Sequence, residues 1–204
     1  MQLEAIKSEQ QKILKELYRF KDFYLVGGTG LALQIGHRVS VDFDLFTGKG
    51  LPSNLISQVK KVFPKAEIAV VLRHPEQFSV TVDGIKIDFV KEQPLLLGPV
   101  IFQNLKIASV VEIMAMKAHT LSFRGKFKDY VDLYFVLKNK ITDLQSVGDL
   151  AQRKYGAEFN FRLLLEQLTY MKDLEAVDVE FLGEEVDKTK MSNFFKQEIA
   201  KIHL

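Results

Sequence analysis

Two glycines, a threonine and two aspartates stand close enough in this 204-residue sequence to do phosphate chemistry together. Gly27-Gly28-Thr29 follows a short apolar run at 23–26 and precedes a segment, 31–35, whose pattern predicts the start of a helix. Glycines at such a junction let the backbone approach a ligand closely, and the N–H groups that open a helix favour an anion such as phosphate. Fourteen residues after Gly28 come Asp42-Phe43-Asp44, inside an apolar run at 41–46 that predicts a strand. Residues two apart on a strand point to the same face, so the carboxylates of Asp42 and Asp44 lie together while Phe43 faces the core. Carboxylates crowded in this way repel one another unless a cation lies between them, and their hard oxygens suit Mg²⁺ or Mn²⁺. A third acid, Asp88, stands in Lys86-Ile87-Asp88-Phe89-Val90, where Ile85, Ile87 and Phe89 alternate inward and leave Lys86 and Asp88 on the other face. If that strand lies beside the Asp42 strand, three carboxylates converge. Two divalent ions held there, roughly 3.5–4 Å apart, would activate a hydroxyl and neutralise a triphosphate leaving group.

Each piece alone has a plainer reading. A Gly-Gly turn connects strands to helices in many proteins, an Asp-x-Asp can be a solvated strand edge, and a lone strand acid usually faces water. It is their order along one chain that favours chemistry. Composition removes most rivals. The absence of cysteine excludes disulfides, thiol catalysis and Cys-ligated zinc or iron–sulfur centres. The four histidines, His37, His74, His119 and His203, are too scattered to predict a His-rich metal site. A net charge of +2 argues against an overall basic nucleic-acid coat. Mean hydropathy is near zero (+0.01) and 47% of residues are hydrophobic, as in a globular chain long enough to bury a core. The amphipathic, polar N-terminal segment is unlike a signal peptide and no run of about 18 apolar residues occurs, so the expectation is a cytoplasmic protein without a membrane span.

The elements that must position these residues follow from periodicity. Leu3, Ile6, Ile13, Leu14 and Leu17 predict a first helix ending near Phe20. A helix is expected at 52–63, then strands at 67–73, 77–82 and 85–90, the last two joined through Asp83-Gly84, a hairpin signal. Asp83 is better explained by that turn than as a third metal ligand. Residues 94–108 read as a connector with an extended piece at 100–107. Beyond them the pattern is helical: 110–124 behind a Ser109…Glu112 capping box, then 129–137, 142–154, 159–171 and 188–202. The expected organisation is an α/β domain over 1–98 and a mainly helical domain over 99–204.

The string GGTGLALQIGHRVSVDFDLF, residues 27–46, resembles the AbiEii-type abortive-infection toxin family, nucleotidyltransferases of the DNA polymerase β-type superfamily that act in type IV toxin–antitoxin systems. Arg38 and Ser40 belong to that resemblance. It continues through Lys117 and the run Arg124-Gly-Lys-Phe-Lys128-Asp129-Tyr-Val-Asp132, with a weaker echo at Lys154-Tyr-Gly, and covers roughly residues 20–172. Lys117 and Arg124, seven apart, share a helix face. Arg forks onto phosphate and Lys supplies a point charge, while Lys128 and Asp132, four apart, are expected to pair along the next helix. The plainer reading leaves Lys117 and Lys128 on a solvated face.

What the resemblance implies is an α+β fold, a polymerase β-type mixed sheet followed by a helical part. Its implied chemistry is transfer of a nucleoside monophosphate from a nucleoside triphosphate, using Mg²⁺ or Mn²⁺. Asp42, Asp44 and Asp88 would be the catalytic and metal-binding acids. Gly27, Gly28, Thr29, Arg38, Ser40, Lys117, Arg124, Lys128, Asp129 and Asp132 would bind the nucleotide. The acceptor would be RNA, a tRNA end among the candidates, or a protein side chain, and no direct contact with an antitoxin is expected. Two other readings stand beside it: a transferase for small, antibiotic-like acceptors, and a non-catalytic module that kept the fold.

Overall fold

In the computed structural model, residues 1–171, 174–175 and 177–202 are described; His203 lies outside them. The chain forms two compact units, Met1–Ser109 and Val110–Leu204.

The first unit is built on seven strands: β1 (Tyr24–Val26), β2 (Phe43–Thr47), β3 (Ile68–His74), β4 (Gln77–Val82), β5 (Ile85–Lys91), β6 (Val100–Phe102) and β7 (Leu105–Ile107). They lie in the order β3-β4-β5-β2-β1-β7-β6, with β2 parallel to β5, β1 parallel to β7 and the remaining pairs antiparallel. The β4–β5 turn is made by Asp83 (φ 49°) and Gly84 (φ 80°), the two positive values of a type I′ hairpin. Asp83 Oδ1 also accepts a hydrogen bond from the Glu67 backbone at 2.8 Å, so turn formation accounts for this acid.

Helices α1 (Ser8–Leu17), α2 (Gly27–Ile35) and α3 (Leu55–Val62) complete the unit. On α1 the expected Ile13, Leu14 and Leu17 are buried; on α3 the buried residues are Leu55, Val59 and Val62, with Ile56 half-buried. Phe89 of β5 is fully buried, with its ring 5.0 Å from Phe20, 5.2 Å from Phe23 and 6.3 Å from Phe78. This aromatic cluster fixes the strand that carries Asp88, because alternation puts residue 88 on the opposite face from the Phe89 ring.

The extended piece expected at 100–107 is two strands, β6 and β7. Leu105 and Ile107 are buried in the sheet, β7 pairs with β1 through Leu25 and Ile107, and the Ala108 N–H donates to Leu25 O at 2.9 Å. The hairpin β6–β7 therefore belongs to the first unit, and the boundary expected at 98/99 falls later, after Ser109.

The second unit holds five helices among the described residues: α4 (Val110–Phe123), α5 (Phe127–Lys138), α6 (Leu144–Tyr155), α7 (Phe161–Thr169) and α8 (Lys188–Ile199). Side-chain caps explain three of their starts. Asp143 accepts from the Ser146 N–H, Asn160 from Leu163 and Asp187 from Lys190. Glu112, expected in a capping box, is fully buried and accepts from the equally buried Lys154 Nζ at 2.8 Å.

Candidate functional site

Strand pairing brings two of the three expected acids, Asp44 and Asp88, together. The parallel register of β2 and β5 sets Phe43 opposite Ile87, Asp44 opposite Asp88 and Leu45 opposite Phe89. Facing residues on neighbouring strands share a side of the sheet. Asp44 and Asp88 are therefore neighbours on one face while Phe43, Ile87, Leu45 and Phe89 are fully buried. Asp42 lies just outside β2 and is exposed. Asp88 is not the solvent-facing strand acid of the plainer reading: its side chain is only 10% exposed.

The glycines reach the same place from the other side. In the antiparallel β1–β2 pair Val26 faces Asp44, so the next residue, Gly27, lies against that carboxylate. The helix starts here, four residues earlier than Leu31, and Gly27 has φ +65°. A Cβ on Gly27 would stand 1.9 Å from Asp44 Oδ2, so glycine is required twice over, by the left-handed backbone and by the approach of the acid. A Cβ on Gly28 would stand 2.6 Å from an Arg38 Nη and 3.1 Å from Ser40 Oγ. The N-cap Val26 makes no side-chain hydrogen bond to the opening N–H groups of α2, the end of a helix that favours an anion.

Thr29 is a brace. Fully buried, its hydroxyl donates to the Asp42 carbonyl and lies 2.8 Å from Ser40 Oγ. Arg38, also buried, donates to Val39 O at 3.1 Å and sets its guanidinium beside Gly28. These contacts pin residues 38–42, the segment that delivers the acids, to the start of α2. Gln10 adds to them: buried on α1, it donates to Ser40 O at 3.0 Å. Sequence reasoning assigned Gln10 no role, although a glutamine on the apolar stripe of α1 was a signal.

Replacing Gly27 by alanine is expected to cost about 1–3 kcal/mol of stability. By displacing Asp44 it should also lower transfer by about a hundredfold or more. Thermal unfolding and turnover measured on the same preparation check this, with Gly50→Ala as control, since nothing lies within 4 Å of a Cβ there.

Lys86 is the other residue that sequence reasoning left without a role. Its Nζ lies 2.6 Å from Asp88 Oδ2. That hydrogen bond, and behind it the charges of Asp88, Asp42 and Asp44, hold the ammonium above its ordinary value against the opposing effect of burial. Asp88 Oδ1, by contrast, is buried without a hydrogen-bond partner.

Among the described residues, no three acids or histidines close around one point as a finished metal cage. The donor set nevertheless fits a hard divalent cation: carboxylate oxygens only, two of the acids in register, and one buried oxygen lacking a partner. Asp42, Asp44 and Asp88 are the residues that would hold it.

In the second unit Lys117, its side chain 12% exposed, lies between two acids, 2.5 Å from Asp129 Oδ1 and 2.9 Å from the fully buried Asp132 Oδ2. The solvated face of the plainer reading does not apply to Lys117, and Asp132 takes Lys117 rather than the expected Lys128. Arg124 is exposed and Lys128 half-buried. His119 lies flat on the Tyr155 ring, centroids 3.9 Å apart, as a packed histidine does. Burial alone would lower the Lys117 ammonium, but Asp132 and Asp129 outweigh it and hold it well above its ordinary value. Burial, with the Asp129 charge second, pushes the Tyr130 phenol up to about 12. Both groups bind their proton more tightly folded than unfolded. The stability they carry is therefore whole below about pH 10 and is lost as pH rises from there through about 12. The melting temperature is expected to fall steeply across that interval, and less so in Tyr130→Phe; a series of melting curves from neutral to alkaline pH checks it.

Comparison with known proteins gives a consistent picture. The model of the family described as nucleotidyl transferase AbiEii toxin, type IV toxin–antitoxin system, matches residues 13–200. An uncharacterised protein of Aquifex aeolicus is 32% identical over 208 residues, spanning 98% of both chains. Among solved structures, a protein from H. pylori assigned as a nucleotidyltransferase superposes with a TM-score of 0.56 at 17% identity, over 94% of this chain and 93% of its own. The nucleotidyltransferase toxin MenT4 from Mycobacterium tuberculosis does so with a TM-score of 0.52 at 12% identity, over 94% and 91%. Both share the fold.

Proposed function

Because the chain belongs to the AbiEii nucleotidyltransferase toxin family, we propose that Asp42, Asp44 and Asp88 form its catalytic centre and that α2 opens onto the phosphates of its substrate. The observation that carries this reading is the juxtaposition of Asp44 with Asp88 across β2–β5 and with Gly27 at the helix start.

The backbone N–H groups of Gly27, Gly28 and Thr29 bind phosphate oxygens of a nucleoside triphosphate, helped by the positive end of α2 and by the Arg38 guanidinium beside it. Ser40 acts through Thr29, keeping the segment before the acids in place. Mg²⁺ or Mn²⁺ bound by the three carboxylates would supply positive charge at the triphosphate. Asp88, with one buried oxygen lacking a partner, orients the acceptor hydroxyl and takes its proton. The acceptor oxygen bonds to the α-phosphorus, the α–β phosphoanhydride bond breaks, and pyrophosphate leaves with the electron pair. Lys117, Arg124, Lys128, Asp129 and Asp132 are assigned to nucleotide binding on the resemblance of their motif, with Lys117 held by Asp129 and Asp132. The acceptor is an RNA, a tRNA end being one candidate, or a protein side chain. The outcome in the cell is growth arrest without direct contact to an antitoxin.

The test is purified protein with Mn²⁺ or Mg²⁺, each α-labelled nucleoside triphosphate, total RNA and a protein extract. Label appearing in RNA or protein, and lost in Asp44→Ala, supports the reading and names the acceptor class. Label appearing only on small hydroxylated compounds replaces the acceptor assignment. The absence of any transfer or any metal-dependent nucleotide binding removes the catalytic claim.

A further inference from the structure

Asp44 and Asp88 are neighbours on the sheet, with Asp42 just before the strand, and the Lys86 ammonium lies among their charges. The Lys86 ammonium donates to Asp88 Oδ2 at 2.6 Å, and Asp42 and Asp44 also act on it electrostatically. For Asp88 that ammonium is an incomplete partner: it leaves Oδ1 buried without a hydrogen bond, an unfavourable state for a carboxylate oxygen. Lys86 is also free to leave. Its side chain is 40% exposed, on a flexible four-carbon stem, and it lines an open cavity of about 430 Å³ together with Lys7, Asp42 and Asp83. The same cavity gives its head a solvated place to go.

We propose that Lys86 is a resident counter-cation of the acid cluster: it holds Asp88 while no divalent ion is present, and it is displaced into the cavity when one binds. Lys86 lies two residues before Asp88 on the same face of β5, so its reach to Oδ2 is set by the strand itself. Displacement frees Oδ2 while Oδ1 already lacks a partner, so both oxygens of Asp88 become available together. Two consequences follow from mass action. Lys86 lowers the affinity of the cluster for divalent ions by competing for Asp88, and it stabilises the ion-free protein by neutralising a buried carboxylate. Lys86 is thus a residue that sets how readily the site loads.

This inference rests on the reading that Asp42, Asp44 and Asp88 bind a divalent ion, and the experiment separates the two. Mn²⁺ binding is measured by the electron paramagnetic resonance signal of the free ion, without nucleotide, for the full chain and for Lys86→Met, Lys86→Arg and Asp44→Asn. Melting temperatures are taken with and without Mn²⁺. Removing a charged competitor within hydrogen-bond distance is expected to tighten Mn²⁺ binding in Lys86→Met about tenfold. That variant should melt lower than the unaltered protein without the ion and gain more from adding it. Lys86→Arg, which can fork onto Asp88, should bind Mn²⁺ more weakly than the unaltered protein. If Lys86→Met binds Mn²⁺ equally well or less well, while Asp44→Asn loses binding, Lys86 is no competitor and the inference is overturned alone. If the unaltered protein takes up no Mn²⁺, or Asp44→Asn binds as well as it does, the divalent-ion reading falls and the inference with it.

Discussion

Asp44→Asn is expected to lower nucleotidyl transfer by about a thousandfold or more. The substitution keeps the size and most of the shape of a side chain that lies against Gly27 and beside Asp88, and removes one negative charge. Nothing in the core changes, since Phe43 and Leu45 keep their positions on the other face of β2. Folding should hold, because the side chain keeps its shape and the core face of β2 is untouched. A loss of turnover with unchanged melting and unchanged secondary structure, measured side by side, is the expected pair of results. A proportionate loss of both would place Asp44 among the structural residues instead.

Lys117→Met is expected to destabilise the second unit by about 3–5 kcal/mol. Methionine fills much of the lysine stem, so the effect comes from charge: Asp132, fully buried, and Asp129, 15% exposed, lose the ammonium they share. If that is the cause, Lys117→Met with Asp132→Asn should be less destabilised than the sum of the two single changes, because the second change removes the charge that the first leaves uncompensated. Denaturant unfolding of the four proteins in the cycle measures the coupling. Additivity would mean that packing of the lysine stem, not the ion pairs, holds α4 to α5.

The sequence was most legible where one period ran uninterrupted. The stripe on α1, the strands β4 and β5 and the Asp83-Gly84 turn all lie where periodicity and turn chemistry put them, because each depends on a few neighbours in the chain. The approach of Gly27 to Asp44 was legible because the glycines mark a close passage of the backbone, whereas the strand period did not extend to Asp42, which lies just before β2. The edges of the account were less legible. Residues 94–108 read as a connector with an extended piece at 100–107; that this piece is two strands, β7 pairing with β1 and β6 with β7, was not legible because three residues each are too short to show a period. The start of α2 at Gly27 was hidden by glycine, a poor helix former, and is explained by the β1–β2 register that brings Asp44 against it. Pairings between charges far apart in sequence were the hardest to foresee. Glu112 finds Lys154, and Asp132 finds Lys117 rather than Lys128, because burial selects partners by position in the fold and not by spacing along a helix. Lys86 was seen on the Asp88 face, yet its hydrogen bond to that acid is a matter of local geometry that alternation alone does not give.

The central claim is that the acids of β2 and β5, with the helix start at Gly27, move a nucleoside monophosphate from a triphosphate to an acceptor. The most direct measurement supplies the same triphosphate in two forms, labelled at the α- or at the γ-phosphate, to the protein with Mg²⁺ and its acceptor pool. The α-label is expected to enter the acceptor, the γ-label to appear only in pyrophosphate released in equal amount, and both to be lost in Asp44→Asn. Gamma-label entering the acceptor, or α-label transferred undiminished by Asp44→Asn, would contradict it.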